Sequence, residues 1–583
     1  MNTIGIKIFE ILFLSWLLII VNLTALIAQT NPIIEGSDIR PFTASGSIGL
    51  EANAYTASGI ENRRAPSSLQ STANLNFTMF GLSSGLNLLY STDQSSLRQN
   101  MNNLSFNASW NWLSVQAGDV SPNFSKYGIN GVTVRGGYIK IAPNNWLLEL
   151  SGGRSQRKVE LRPADGFRKP AFERWSAAAK IGYESDKERH FFLSTHYSID
   201  KRNSLDNPGA LAPQENLTLT PDAKLTLFKG ALTMETQVTF SAYTRDLNTA
   251  EIPLQTIGVP GFLSSIMTAY ESSRINYAGE ATLGLDLNQF GLELGYQRVQ
   301  PGFVSLGTSR TRDDQQEIQI SPSIQFFDNR LSLKSNVVLG RDNLLGSRLQ
   351  TQRNANIGSN IQFQLSDMIN INGNYNLLIN DFSSGNLPDT TMAAGFALGQ
   401  RQVAHTITLQ PSFTFQKAEY THSISVSGSY FTFNNEFDNT DAMPTGGIQS
   451  DTYSSSVSYS LTFPVGLSLN TAGNFLRNTS DNASSTTLSS NIGASYSFLQ
   501  RKMTMSLNGG FSQNTSESTN SNLNSGGISI EANQLMLNMT ANYRLTNKDS
   551  FSLTMRSRRN SIVKGGNSDF SEIEGSFRYQ HRF

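Results

Sequence analysis

Side chains able to carry catalytic chemistry are few in this sequence, and their spacing does not favour it. Residues 81–85 read Gly-Leu-Ser-Ser-Gly, which matches the Gly-x-Ser-x-Gly pattern that exposes a serine nucleophile at a strand-to-helix turn. Here the match lies between two segments of alternating polarity, and no helical pattern follows it. The five histidines are scattered and show no metal-ligand spacing: His190, His196, His405, His422 and His581.

The absence of cysteine excludes several further kinds of site. With no cysteine in the chain, structural disulfides, cysteine-ligated zinc, iron–sulfur clusters and thiol catalysis are excluded. We therefore expect no enzyme, no cofactor and no bound metal.

Charge and polarity exclude further classes of protein. In 583 residues, Lys+Arg equals Asp+Glu at 45 each, so no net field recruits nucleic acid. Charged residues make up 15% of the chain, where soluble domains carry roughly 25%. Hydrophobic residues are only 38%, because Ser, Thr, Asn, Gln and Gly replace the missing charge. This composition suits neither a helical membrane protein nor a soluble helical enzyme.

The N-terminus has the layout of a secretory signal peptide over residues 1–28. After Lys7, the stretch from Ile11 to Ala28 is almost wholly apolar and ends in a small residue before a polar segment. The alternative is an uncleaved membrane anchor, because the run approaches the roughly 20 residues that span a bilayer. Residues 29–41 are then a short periplasmic segment of the mature chain. No later run is long and apolar enough to predict a spanning helix.

The rest of the chain repeats one pattern, an alternation of apolar and polar residues with period two. Between residues 406 and 415 the odd positions are Ile407, Leu409, Pro411, Phe413 and Phe415, and the even positions are Thr, Gln or Ser. Such segments are strands with one apolar and one polar face. Most are 10 to 16 residues long by this pattern, enough for the roughly 9 to 11 tilted residues that cross a bilayer.

Connections of two lengths alternate along these strands. Short turns occur, for example, at residues 143–145, 229–230 and 366–367, and a longer polar connection lies between consecutive short turns. This order predicts about 26 strands (24 to 28) over residues 42–583. An even count, with both termini on the short-turn side, is typical of a closed antiparallel transmembrane β-barrel. The sheet must close because lipid offers no hydrogen-bond partner to the backbone groups at a free strand edge. The predicted fold class is therefore all-β.

The last strand carries a resemblance to a known class. Phe577, Tyr579, His581 and Phe583 share one face of the final segment, and the chain stops at Phe583. With the export signal and the alternating turns, residues 40–583 resemble large, plug-free bacterial outer-membrane β-barrel proteins of the kind found in Bacteroidota. The resemblance implies a multi-pass barrel in the outer membrane, contact with its lipid, and an assembly signal for the barrel assembly machinery at Phe577, Tyr579 and Phe583. It names no substrate.

A glycine-rich segment, residues 117–137, departs from the repeating pattern. Opposed charges at Asp119 and Arg135 bracket Lys126 and two aromatic residues, and the glycines permit close backbone approach. Two structures fit this composition: a tightly packed surface loop, or a loop folded into the lumen. In the second, Asp119, Lys126 and Arg135 contribute to a constriction.

Arg298 is a fourth candidate for the lumen constriction. It lies near the end of a predicted strand and precedes a Pro-Gly turn and the charged stretch at 310–314. Arg298 either pairs with an acid across the lumen or belongs to a solvated run of charges.

The longest connection, residues 247–272, is unusually apolar for a surface loop. Phe262, Ile266 and Tyr270 stand at helical i, i+4, i+8 spacing after a Gly-Val-Pro-Gly break. We expect a short helix in a loop folded into the mouth of the lumen. The alternative is a loop packed on its neighbours at the rim.

Two classes of function are compatible with these features. In the first, the barrel is a pore or export conduit for solutes, lipid or polypeptide. In the second, it is an outer-membrane scaffold or adhesin acting through extracellular loops or partner lipoproteins. The loops are short for an adhesin head, which favours the conduit. Because only about a dozen residues separate Ala28 from the first strand, we expect no N-terminal plug domain, and so a loop or a partner protein must narrow the lumen.

Overall fold

The structure is a single closed sheet. The computed structural model of the chain describes residues 42–92, 103–160, 170–185, 188–258, 266–309, 312–384, 399–437, 448–518, 528–565 and 569–583. The predicted signal peptide (1–28) and periplasmic segment (29–41) lie outside these ranges. Among the described residues, no helix is both long and apolar enough to cross a membrane.

Twenty-six antiparallel strands form the sheet, which confirms the predicted count. In chain order they are β1 Phe42–Ser58, β2 Ser67–Met79, β3 Leu82–Ser91, β4 Asn103–Trp110, β5 Leu113–Val120, β6 Val134–Ile141, β7 Trp146–Gln156, β8 Arg174–Ser185, β9 Arg189–Asp200, β10 Glu215–Leu227, β11 Leu232–Thr244, β12 Ser273–Leu287, β13 Phe290–Val299, β14 Gln315–Phe326, β15 Leu331–Asp342, β16 Gln350–Gln364, β17 Ile369–Ser384, β18 Gln400–Lys417, β19 Tyr420–Phe437, β20 Ile448–Thr462, β21 Leu467–Ser480, β22 Ala483–Phe498, β23 Met503–Ser518, β24 Ile528–Arg544, β25 Asp549–Lys564 and β26 Phe570–Arg582.

The sheet closes where the first strand meets the last. β1 and β26 pair antiparallel from Ser47 opposite Arg582 to Ser58 opposite Ser571. The backbones of Gly46 and Phe583 continue the ladder with two hydrogen bonds of 3.0 and 3.1 Å. Closure leaves the described strands without a free edge, which is the condition for a sheet to span a membrane.

The connections follow the predicted alternation, with one exception. Every connection after an even-numbered strand has two to four residues. Connections after odd-numbered strands are longer, up to the 28 residues between Thr244 and Ser273. The exception is residues 481–482, a two-residue turn between β21 and β22 on the long-loop side. The start of β1 and the end of β26 therefore lie at the short-turn rim, the periplasmic rim in barrels of this type.

The two faces of the sheet separate by polarity, as predicted. On β18, Leu409 and Phe413 are 54% and 38% exposed on the face where apolar side chains of neighbouring strands also stand free. Thr408 and Gln410 occupy the other face, where Thr408 lies opposite Asn374 and Ser429. An apolar outer band around a polar interior is the pattern of barrels whose outer face contacts lipid.

Candidate functional site in the barrel lumen

Two of the longer connections fold back into the lumen and meet there. Residues 121–133 follow β5 and residues 300–309 follow β13; together we call them the inner loop layer. Ile129–Asn130 pair in parallel with Gly307–Thr308. The Ser305 hydroxyl donates to the Gly128 carbonyl at 2.6 Å. The two loops thus form one layer although they are distant in sequence.

Polar side chains on the inner face of the barrel wall hold this layer. Ser241 of β11 donates to the Val304 carbonyl at 2.6 Å. Asn216 of β10 accepts from the Leu306 backbone N–H at 3.1 Å. Asn216 is fully buried, and a buried loop backbone requires such partners because it is shielded from water. The layer is consequently attached to the wall of β10 and β11 through its backbone.

Aromatic packing fills the space behind the layer. Tyr127 and Phe303, one from each loop, meet edge to face with ring centroids 6.2 Å apart. Both pack on Ala278 and Val299 of the β12–β13 wall. The Tyr127 hydroxyl has no hydrogen-bond partner, and burial raises the pKa of this phenol. These side chains make the layer a small hydrophobic core inside a polar lumen.

Lys126 lies on the inner wall, with its charge paired. Its ammonium donates to the Glu280 carboxylate of β12 and to Gln297 of β13 at 3.2 Å. Its backbone N–H donates to the Gln237 side chain at 2.8 Å. Lys126 and Glu280 remain 45% and 31% exposed, so this pair is open to the aqueous interior.

Asp119 and Arg135 form a separate pair at the long-loop ends of β5 and β6. The register places both in the outward row that also holds Ile139, which is 38% exposed, so their position differs from the lumen constriction predicted for them. The guanidinium binds both carboxylate oxygens at 2.8 Å, and Asp119 also accepts from the Leu104 backbone at 3.2 Å. The pair borders an open cleft of about 670 Å³ whose lining includes residues 131–133, 306 and 308–309 of the inner loop layer. Lys126 pairs with Glu280 and not with Asp119, so the structure shows two charged sites and not one ring.

Arg298 is not part of either site. It lies opposite Gly279 and Gln316, in the same outward row of β13 as Leu294 and Tyr296, which are 39% and 44% exposed. The lumen position predicted for Arg298 therefore differs from the one observed. The alternation of β13 already assigns Arg298 to the apolar face, and this signal was available in the sequence.

The apolar loop 245–272 also differs from its predicted position in the lumen. Leu254, Met267 and Ala269 pack on Leu217 and Ala242, which belong to the outward rows of β10 and β11. The described part of the loop thus packs on the outer face at the long-loop rim, whereas the inner loop layer lies on the inner face.

A single 3₁₀ turn lies at Leu254–Ile257, before the Gly-Val-Pro-Gly break. The helix predicted over residues 262–270 is not seen in its described part, where Ala269–Tyr270 pair with Glu251–Ile252 as a short two-stranded sheet. Tyr270 is buried and accepts from Arg202 at 2.7 Å, whereas Ile266 is 49% exposed. Phe262 lies outside the described residues. Apolar composition fits a lipid-facing rim as well as a lumen, which explains the difference.

One serine–histidine contact was not anticipated from the sequence. His196 Nε2 and Ser198 Oγ lie 2.8 Å apart on β9, and Ser198 contacts Ser176 at 2.6 Å. Both His196 and Ser198 are at most 1% exposed. Gly307 lies against the His196 imidazole, so close that a Cβ at this position would come within 2.6 Å of the ring. The pair is enclosed and supports the inner loop layer.

The wall from β16 to β23 has a different character. In the described residues of these eight strands, the register places no charged side chain on the inner face. Hydroxyl and amide groups line it instead, in cross-strand pairs such as Ser427–Ser456 at 2.6 Å and Ser429–Ser454 at 2.7 Å. This sector presents a neutral hydrogen-bonding surface to the lumen. Among the described residues, no group of side chains has the arrangement of a metal site.

The C-terminal residues stabilise the seam of the barrel. The Phe583 ring packs on the cluster of Ile48, Ala73 and Leu75 on the outer face of β1 and β2. Tyr579 donates to Asp549 at 2.8 Å, and Phe577 is 47% exposed on the same outer face. A role of these residues as an assembly signal stays a prediction.

Comparison with known proteins yields structural likenesses to outer-membrane proteins. No protein-family model matches the chain, and no curated protein matches it. The P pilus usher (PapC) translocation pore is 9% identical, with a TM-score of 0.34 over 92% of this chain and 99% of that one. OccAB2 of Acinetobacter baumannii is 10% identical, with a TM-score of 0.29 over 67% and 96%. OpdK of Pseudomonas aeruginosa, solved with vanillate, is 10% identical, with a TM-score of 0.26 over 64% of this chain and 94% of that one.

The closed antiparallel sheet, its apolar outer band and its polar interior define the class to which the structure belongs. A sheet of this kind satisfies every backbone group within lipid and leaves no edge. The chain is a multi-pass β-barrel of the bacterial outer membrane.

Proposed function

We propose that the barrel is a pore or export conduit whose lumen is narrowed by its own inner loop layer. The observation that carries the proposal is the Ser305–Gly128 contact, which joins the two loops inside a 26-stranded barrel. Porins of about 16 to 18 strands already leave an aqueous channel, so a wider barrel requires an internal obstruction to limit leakage. The inner loop layer supplies one along β8–β13.

The neutral wall supports passage of hydrophilic solutes with little charge discrimination. Hydroxyl and amide groups replace water hydrogen bonds without holding a counter-ion. Because the described residues of β16–β23 place no charge on the inner face, we propose that this wall contributes little ion selectivity to the pore. We propose that the solutes or chains transported are polar and uncharged. Lys126 and Glu280 provide a local charged gate on the wall of β12 and β13.

Single-channel recording in planar bilayers tests the proposal. A variant in which residues 122–131 are replaced by a short Gly-Ser linker should show a larger conductance than the wild type, with the heat-modifiable barrel retained. The matched control is deletion of residues 252–270, whose described members Leu254, Met267 and Ala269 pack on the outer face; it should leave conductance unchanged. If the wild type shows no conductance and the variant with residues 122–131 replaced shows none either, the conduit is contradicted. The scaffold or adhesin function is then favoured.

Several further features belong to the same proposal. The buried Ser198–His196 pair supports a non-enzymatic role, because no substrate reaches it. The aromatic residues of the final strand support recognition by the barrel assembly machinery. The part of the lumen that the inner loop layer does not fill leaves room for a plug or a lipoprotein partner. From the sequence resemblance we also propose that this barrel is related to the large outer-membrane barrels of Bacteroidota.

A further inference from the structure

A row of arginines crosses neighbouring strands on the outer face of the barrel. Arg341 of β15 lies directly opposite Arg353 of β16. Asp381 of β17 follows, and then Arg401 of β18. On the other side the row continues through Gln316 to Arg298. We call Arg298, Arg341, Arg353 and Arg401 the arginine row.

The row lies immediately above the apolar band that contacts lipid. On each strand the residue two positions toward the band is apolar or aromatic: Tyr296, Leu339, Ala355 and Val403. Tyr296 and Leu339 are 44% and 46% exposed. The arginines stand at the long-loop ends of their strands, which is the external side of such barrels. They are therefore at the level of the lipid headgroups of the outer leaflet.

The row has an excess of positive charge within the described part of the chain. Two carboxylates stand in it, Asp381 between Arg353 and Arg401 and Glu436 opposite Arg401, whereas Arg341 lies between Gln316 and Arg353. Arg341, Arg353 and Arg401 are exposed, and no hydrogen bond or ion pair joins any of them to another described residue. Asp381 likewise forms no hydrogen bond or ion pair with a described side chain, although it lies opposite both Arg353 and Arg401. Arg341 and Arg353 are like charges on directly opposed positions, an arrangement that destabilises a sheet unless an anion lies between them. The Arg298 Nε is buried and has no hydrogen-bond partner among the described residues.

We propose that the arginine row binds the phosphate-bearing headgroups of outer-leaflet lipid. Guanidinium groups bind phosphate through paired N–H donors, which makes arginine the preferred residue for this contact. The row faces outward beside lipid-contacting residues, so its ligand is a membrane lipid. Neighbouring strands are about 4.8 Å apart, and the four arginines therefore cover a width of roughly 24 Å across β13–β18. The inference does not depend on whether the lumen conducts.

Lipid binding by the purified full-length barrel tests the proposal. The protein is placed in phosphatidylcholine nanodiscs containing bisphosphorylated lipid A, and the retained lipid A per barrel is measured by mass spectrometry. The triple variant Arg341→Gln, Arg353→Gln and Arg401→Gln should retain at least tenfold less lipid A than the wild type. Lipid A from which both phosphates have been removed should be retained by the wild type no better than by the triple variant.

A matched control is available three strands farther along the same rim. Arg477 of β21 is exposed and outward-facing, but its cross-strand neighbours are Tyr453 and Thr486. Arg477→Gln should retain lipid A as the wild type does. If the triple variant does not fold, Arg353→Gln alone should lower retention severalfold. Wild-type retention in the row variants, or equal retention of phosphate-free lipid A, would overturn the proposal.

Discussion

The Ser305 hydroxyl donates a 2.6 Å hydrogen bond to the Gly128 carbonyl, which lies 177 residues earlier in the chain. A Cβ at Gly307 would come within 2.3 Å of the Gly128 carbonyl oxygen and within 2.6 Å of the His196 ring. The inner loop layer therefore requires glycine where the two loops cross.

Gly307→Ala should displace the inner loop layer and leave the barrel folded. The added methyl overlaps backbone and a fully buried ring, and overpacking of this kind costs about 1 to 3 kcal/mol. We expect higher single-channel conductance and an unchanged heat-modifiable band. Gly428→Ala is the control, because nothing lies within 4 Å of a Cβ at Gly428. The same conductance in both variants would show that the layer does not limit the pore.

Tyr127→Phe should leave stability unchanged or raise it by up to about 1 kcal/mol. The Tyr127 hydroxyl is buried without a partner, and its removal ends an uncompensated desolvation cost. Tyr127→Ala should instead cost about 3 to 5 kcal/mol, because it empties the space beside Phe303. Urea unfolding in phosphatidylcholine vesicles measures both. A clear loss of stability in Tyr127→Phe would indicate a hydroxyl partner, such as a bound water.

The barrel was predictable from sequence because its signals are local. Alternation over each strand and the length of each turn depend on neighbouring residues, as in the run from Thr406 to Phe415. The inner loop layer was not, because Ser305 and Gly128 are brought together only by the closed sheet. For Arg298 the alternation of β13 gave the correct face, and proximity to a charged loop was the misleading signal. The apolar loop 245–272 was ambiguous because lipid and a packed interior favour the same side chains.

Leu409→Arg should cost about 2 to 4 kcal/mol if the residue stands near the membrane midplane. Leu409 is 54% exposed on the outer face, so the guanidinium would enter hydrocarbon. Thr408→Arg is the matched control, because it places the same charge in the aqueous lumen. Free energies of unfolding measured in lipid vesicles should separate the two variants. Equal losses would contradict the assignment of the two faces.

Phe583→Ala should weaken the seam even when the barrel folds without assembly factors. The ring packs on Leu75 and Ile48, each 6% exposed, and loss of this partly buried aromatic contact is worth about 1 to 2 kcal/mol. Refolding yield into vesicles should fall. Phe577→Ala should have a smaller effect, since Phe577 is 47% exposed. An unchanged yield for Phe583→Ala would leave recognition by the assembly machinery as the role of the terminal aromatic residue.

Cysteine accessibility should show that the short turns face the periplasm and the longer connections face outward. The chain has no native cysteine, so each single-cysteine variant reports one position. Asn207→Cys and Ser347→Cys lie in exposed long connections and should react with an impermeant thiol reagent in intact cells. Asp367→Cys and Lys548→Cys lie in exposed short turns and should react only after the cells are lysed. The reverse pattern would invert the barrel and place the arginine row at the inner leaflet.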